Sequence, residues 1–240
     1  MKTHMKYISL IVLVVAVFVT GCGSKCIEDS GIRAHRATTV GVFDQIKISG
    51  KMKLILTQDS TYHIKVEADS NIMEAVKFDV SGAELRIELA DEKYCGTDSI
   101  AVFANIGELK KLELKGNVQV QTEGVLHVND LSILAKGANA LTLNLNASKL
   151  NTQTEGVTQL HLSGQTGTHE LISKGTLKME AFDFVAGIYN LNIEGIGNAN
   201  INVLNELKVN TKGTSSIRYK GSPKKVDEKK TGATTLEKVN

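Results

Sequence analysis

One residue type recurring at a fixed interval constrains this chain more than anything else in it. Glycines stand at 116, 137, 156, 175, 195, 213 and 232, separated by 21, 19, 19, 20, 18 and 19 residues. A period near 19 is the mark of a repeat architecture. Aligned on the glycine, neighbouring positions fall into columns. Four residues before it stand Leu112, Ile133, Thr152, Leu171, Leu191 and Val209; two before it stand Leu114, Ala135, Thr154, Ser173, Ile193 and Thr211. Four after it stand Val120, Leu141, Leu160, Met179, Ala199 and Ile217; six after it stand Thr122, Leu143, Leu162, Ala181, Ile201 and Tyr219. The residues between them, such as Asn144, His161, Lys178, Asn200 and Arg218, are polar. Alternation of this kind marks half-buried strands. Glycine suits the corner because it takes positive φ without a steric cost.

Each unit therefore reads as strand, glycine turn, strand. One unit cannot bury its own face, whereas stacked units bury a continuous aliphatic ladder. The expected fold is all-β: a β-solenoid, a two-sheet β-helix with about 19-residue turns, capped at both ends. Composition agrees, with 5% aromatic residues and no Trp. A thin space between two sheets takes Leu, Ile, Val, Ala and Thr. A sandwich of hairpins is the alternative, but it would not require one fixed period. Residues 113–236 form the regular repeats and 40–112 the irregular N-terminal turns and cap. In that first part, period-two runs at Ile46–Ile48, Met52–Leu56, Ile64–Val66 and Leu85–Leu89 are punctuated by turns at Ser49-Gly50 and Ser81-Gly82-Ala83. At the far end Pro223, the only proline, lies beside Lys224, Lys225, Lys229 and Lys230. That cluster is expected to stop further strand addition.

The N-terminus reads as an address. Lys2 and Lys6 precede an almost continuous apolar run from Ile8 to Val19. It is shorter than the ~20 residues of a membrane-spanning helix and fits a secretory signal core. Val19-Thr20-Gly21-Cys22 then matches a lipoprotein-type cleavage box, with Cys22 as the lipidation site. An ordinary signal peptide with an incidental cysteine is the plainer reading. The expected organisation is a signal peptide at 1–21, a polar tether at 22–39 and a single β-solenoid domain at 40–236. The expected location is the cell envelope, lipid-anchored at the outer membrane, with the facing side open. Cys26 and Cys95 either pair in an oxidising compartment or remain two thiols; the sequence leaves both readings open.

Charge and motif exclude several functions. With 28 basic against 26 acidic residues, the chain is no polyanion binder, and no nucleic-acid partner is expected. A β-helix polysaccharide enzyme would need clustered carboxylates with a base or a metal. Glu155 and Glu194 share a column two rungs apart, roughly 10 Å, with Lys174 between them, and read as a salt-bridged ladder. Histidines 35, 63, 127, 161 and 169 show no metal-ligand spacing and read as surface residues. No nucleotide or hydrolase fingerprint occurs. No catalytic residue, metal or cofactor is therefore expected, and the chain reads as not an enzyme. The asparagines at 190, 192, 198, 200, 202 and 205 read as outward decoration. The candidate contact surface is Phe182, Phe184 and Tyr189, in a longer inter-rung segment expected to protrude. Rings covering an edge of the core are the alternative.

Three stretches carry a resemblance: the opening Phe43-Asp44-Gln45-Ile46-Lys47-Ile48-Ser49-Gly50, the glycine-turn repeat, and the exit Ile217-Arg218-Tyr219-Lys220-Gly221-Ser222-Pro223. Together they make the chain resemble the bacterial family described as the putative auto-transporter adhesin head GIN domain, over about residues 40–236. The resemblance implies a two-sheet β-helix, a role in adhesion and no catalytic residues. The chain departs from the family at its turns, where the usual second glycine is mostly lost. No C-terminal run of strands suited to a translocator barrel follows, so the lipidated cysteine offers the other route to the membrane. The expected function is a lipid-anchored, non-catalytic binding module of the cell envelope, suited to adhesion to a protein or glycan. The alternatives are an envelope scaffold or accessory protein and, more remotely, a β-helix polysaccharide-active enzyme.

Overall fold

A computed structural model describes residues 26–89, 93–97 and 100–239. The signal peptide and Cys22 lie outside the described residues. The elements are β1 (Cys26–Ile27), β2 (Arg33–Thr39), β3 (Gln45–Gln58), β4 (His63–Asp69), β5 (Val76–Ser81), β6 (Glu84–Leu89), β7 (Lys93–Tyr94), β8 (Ala101–Ile106), β9 (Lys111–Glu123), β10 (Leu126–Lys220) and β11 (Lys225–Lys238). The described residues contain no helix, and the fold is all-β. An open nine-stranded sheet runs in the order β11-β10-β9-β3-β8-β4-β2, with β6 also on β3 and β5 on β6. β1 and β7 form a separate parallel pair.

The 95 residues of β10, laid straight, would run roughly 310 Å. Instead, residues one repeat apart lie side by side. β9 pairs with β10 in parallel with Gly137 opposite Gly116, and β10 pairs with β11 in parallel with Gly232 opposite Gly213. Each glycine of the series lies against the backbone carbonyl of the one before it. Their φ angles fall between 104° and 126°, a region L side chains rarely enter. The four expected columns face the core. All are buried except Thr122 and Tyr219, which are half-buried.

The series starts earlier than the sequence suggested. Gly50 does not close a tight turn: β3 runs straight through it. Gly50 sits opposite Gly116 in parallel register, Ile46 opposite Leu112 and Leu54 opposite Val120. Its φ of 123° matches the others. The segment between β3 and β9 is an excursion. β2, β4 and β8 pair antiparallel, and β5–β6 is a hairpin with its expected turn at Gly82.

The expected tether is corrected over its described part. Residues 26–39 are tied to the body. Cys26 and Cys95 form a disulfide. The buried Asp69 carboxylate accepts the Gly31 N–H at 2.8 Å and pairs with Arg33 at 3.6 Å. Asp29 accepts the Thr97 N–H at 2.6 Å and the Tyr94 hydroxyl. β2 escaped recognition because its inward positions are Ala34, Arg36 and Thr38. Arg36 stands in for an apolar side chain, with its guanidinium 4.8 Å from the Phe78 ring centroid and donating to the Val76 carbonyl at 2.7 Å.

The far end is also corrected. Pro223 does not stop the sheet, because β11 follows it and adds another parallel segment. What changes is the column content. Opposite Val209, Thr211, Ser215 and Ile217 stand Glu228, Lys230, Thr234 and Leu236. Glu228 and Lys230 form an ion pair at 2.6 Å. Charges in inward positions end the aliphatic ladder.

Candidate binding surface

Two of the three expected contact residues are not at the surface. Phe184 and Tyr189 are fully buried and surround His169, which is buried as well and so corrects its reading as a surface residue. The His169 ring centroid lies 5.2 Å from that of Tyr189 and 6.0 Å from that of Phe184. Its Nε2 lies 3.0 Å from the Thr152 hydroxyl. Burial pushes the His169 pKa down to about 3 and holds the Tyr189 phenol above its ordinary range. The reason is a further inward column. Six residues before the five glycines from Gly137 to Gly213 stand Leu131, Leu150, His169, Tyr189 and Leu207, all buried. Phe182 remains half-buried on the outer side, with the Lys220 ammonium 4.8 Å from its ring centroid and the Arg218 guanidinium at 5.9 Å. It is a cation-covered ring and not a bare platform.

The outward positions form two troughs, one on each side of the glycine corner. The larger, about 540 Å³, is built from positions five and three before the glycine on four successive repeats. These supply Glu170 and Ile172, then Asn190 and Asn192, then Lys208 and Asn210, then Asp227 and Lys229. Rungs about 4.8 Å apart make this array about 14 Å long. Asn210 Nδ2 donates to Asn192 Oδ1 at 3.1 Å, so an amide ladder crosses the middle, while Ile172 gives an exposed apolar patch at one end. The second trough, about 410 Å³, carries Thr142, Gln159, His161, Lys178 and Glu180. It continues into a chain in which Asn200 Nδ2 donates to Glu180 at 2.5 Å and Arg218 Nε donates to Asn200 at 2.9 Å.

The carboxylates do not converge. Glu155 pairs with Lys136 at 3.2 Å and Glu194 with Lys212 at 2.9 Å, both exposed on the corner edge. Each turns to the neighbouring repeat on the side away from Lys174. The hydrogen bond from Lys212 holds the Glu194 carboxyl below the usual range. Among the described residues no group of three His, Cys, Asp or Glu side chains could hold a metal. The troughs instead present planar amides, ammoniums and carboxylates at rung spacing. Such an array offers alternating donors and acceptors to a hydroxyl-rich polymer lying across several rungs.

The sequence profile of the family described as putative auto-transporter adhesin, head GIN domain, matches residues 42–223. The chain belongs to this family. The match opens beside the Phe43 motif and closes at Pro223, so β11 lies beyond it. Among solved structures similar to this GIN-domain chain is a putative adhesin from Bacteroides fragilis NCTC 9343. It is 24% identical, with a TM-score of 0.82, and covers 89% of this chain and 100% of its own. A putative adhesin from Parabacteroides distasonis ATCC 8503 is 20% identical with a TM-score of 0.68, covering 90% and 100%. A protein from that same organism called a putative lipid binding protein is 20% identical with a TM-score of 0.61, again covering 90% and 100%. At these identities the likeness is one of fold. No curated protein matches the sequence.

Proposed function

We propose that this chain is a lipid-anchored β-solenoid of the cell envelope that adheres, without catalysis, through its outward troughs. The solenoid reading is supported by the parallel registers and by the glycine series at one-repeat spacing. The adhesive reading rests on family membership and, for its place on the molecule, on one observation: the two-by-four array of Glu170 to Lys229, open to solvent and crossed by an amide ladder. The anchor is Cys22. Only three residues separate it from disulfide-bonded Cys26, a reach of at most ~14 Å, so the body would sit close against the membrane.

Binding of purified protein to whole cells and to immobilised envelope glycans tests the adhesive reading. Replacing Asn190, Asn192 and Asn210 by alanine should reduce the bound fraction several-fold with the melting temperature unchanged, since all three side chains face outward. Binding that is absent in the parent protein, or equal in the triple variant, sinks the reading. Crosslinking in cells to a single envelope protein would replace it by a scaffold. Cys22→Ala should move the protein from the membrane fraction to the soluble one; retention at the membrane would refute the anchor.

A further inference from the structure

β11 is paired on one edge only. Among the described residues its N–H and C=O groups on the other edge meet no strand. Fourteen residues of open edge are a template for another chain. The residues of β11 restrict which chain can pair with it.

Inward positions of β11 are the even numbers 228, 230, 234 and 236, opposite the buried column residues of β10; the odd numbers face out. In an antiparallel pair, directly opposed residues share a face. If β11 meets a second β11 about a two-fold axis, inward must therefore oppose inward, and the axis must pass through a residue. Centred on Ala233, the pairing sets Glu228 opposite Lys238, Lys229 opposite Glu237, Lys230 opposite Leu236 and Thr231 opposite Thr235. By symmetry each charge pair occurs twice, so four attractive pairs form and no repulsive one. The neighbouring registers fail. Within β11, centring on residue 231 forms only the Lys225–Glu237 pair and sets Asp227, Glu228 and Lys229 against uncharged residues, centring on 232 opposes Asp227 to Glu237, and centring on 234 opposes Lys230 to Lys238. The axis also falls beside the Gly232 corner. It exchanges the two arms of β11, so each arm lies on the other arm of the second copy.

We propose that β11 is a self-recognition edge, which joins two copies of this chain end to end through an antiparallel pair centred on Ala233. β2 stands at the opposite end of the sheet from β11. The N-terminal ends of the two copies then point away from each other. Given the lipid anchor proposed above, this geometry ties two membranes together, and adhesion between like cells follows from it.

The test is sedimentation of the full-length protein in mild detergent. Lys229→Glu alone and Glu237→Lys alone each turn two attractive pairs into two repulsive ones. Each should weaken dimerisation on the order of ten-fold. The double variant should dimerise like the parent. A mixture of the two single variants should form the mixed dimer, in which every pair is attractive again. Both side chains are exposed, so folding, checked by far-ultraviolet circular dichroism, should be unaffected. A parent protein that stays monomeric at the highest accessible concentration overturns the proposal, as do single reversals that dimerise unchanged or a mixture that does not recover. Lys229 borders the larger trough, whereas Glu237 does not. A Glu237→Lys protein that loses the dimer but keeps binding to glycans, and an asparagine variant that does the reverse, would show the two readings failing separately.

Discussion

Gly116 and Gly124 stand eight residues apart and both have positive φ, +106° and +82°. Alanine at either position meets the same left-handed backbone strain, about 1–2 kcal/mol. Their surroundings differ. Around Gly124 nothing lies within 4 Å of an added methyl. At Gly116 the methyl would sit 2.7 Å from the Gly50 carbonyl oxygen and 3.3 Å from its carbonyl carbon and nitrogen. That obstacle is backbone, and it cannot swing aside as a side chain would. Gly116 is held between Gly50 on one side and Gly137 on the other, so relief requires separating β3 from β9 locally. Forcing one extra methyl into a packed site adds about 1–3 kcal/mol. Gly116→Ala should therefore lose about 2–5 kcal/mol and Gly124→Ala about 1–2. The difference of about 1–3 kcal/mol, at 2–4 °C per kcal/mol for a domain of this size, should set the two melting temperatures roughly 2–12 °C apart. Thermal unfolding followed by circular dichroism, with urea unfolding as a check on cooperativity, measures this. Equal melting temperatures would refute the claim that the glycine series is there for rung-to-rung approach and would leave only its turn conformation.

Leu143 is buried in the ladder, so Leu143→Asp strands a charge without a partner and should cost at least 4 kcal/mol; an unchanged melting temperature would break the column assignment. Cys95→Ser opens a loop of 69 residues and should lower stability by up to about 4 kcal/mol on chain entropy, read as a urea midpoint that the parent matches only when reduced. His169 has its folded pKa lowered to about 3 by burial, below its unfolded value near 6.5. The folded state thus binds fewer protons than the unfolded one. The stability of the neutral form is complete above about pH 6.5 and falls as pH drops toward 3, by up to about 1.4 kcal/mol per unit. His169→Gln should flatten that slope between pH 6 and 4; an unaltered slope means other groups govern it.

The ladder was legible because its signal is local and periodic. Leu143, Leu160 and Ile201 repeat a type at a fixed offset, and offset alone places them inside. Columns of mixed chemistry are legible only in part: the one two before the glycine, with Thr154, Ser173 and Thr211, follows from the pattern, and the one two after it does not. Two residues after the glycine stand Val118, Asn139, Thr158, Leu177, Gly197 and Ser215, all buried. Asn139 and Gly197 interrupt this column with types that read as turn residues, so alternation hides it. His169 and Tyr189 were hidden in the same way: each looked like a surface residue until the column containing Leu150 and Leu207 was seen. That misreading moved the candidate surface. The rings suggest themselves as contact residues by type, while the open faces carry asparagine, lysine and carboxylates in register. Gly50 was missed for a different reason. The excursion through β4 to β8 breaks the period, and only pairing in space restores it.

The same column logic explains why the aliphatic ladder ends where it does. Pro223 looked like the terminator, since proline cannot donate to a ladder. It lies in the link between β10 and β11, where no ladder bond is lost. The stop is written five and seven residues later, where Glu228 and Lys230 occupy positions that in earlier repeats belong to Leu191 and Ile193 or Val209 and Thr211. An aliphatic end would stack on any other exposed ladder, in several registers, and polymerise. An ion-paired end cannot be covered by an apolar face without stranding its charges. It favours a surface that returns opposite charge and sets no like charges against it. The Ala233-centred pairing returns an opposite charge at Glu228, against Lys238, and at Lys229, against Glu237, while Lys230 keeps Glu228 of its own strand as partner and no like charges meet. The charges that close the core are thus the ones that restrict what may add to it. This accounts for an edge strand left long, regular and exposed at the end of the stack away from the N-terminus.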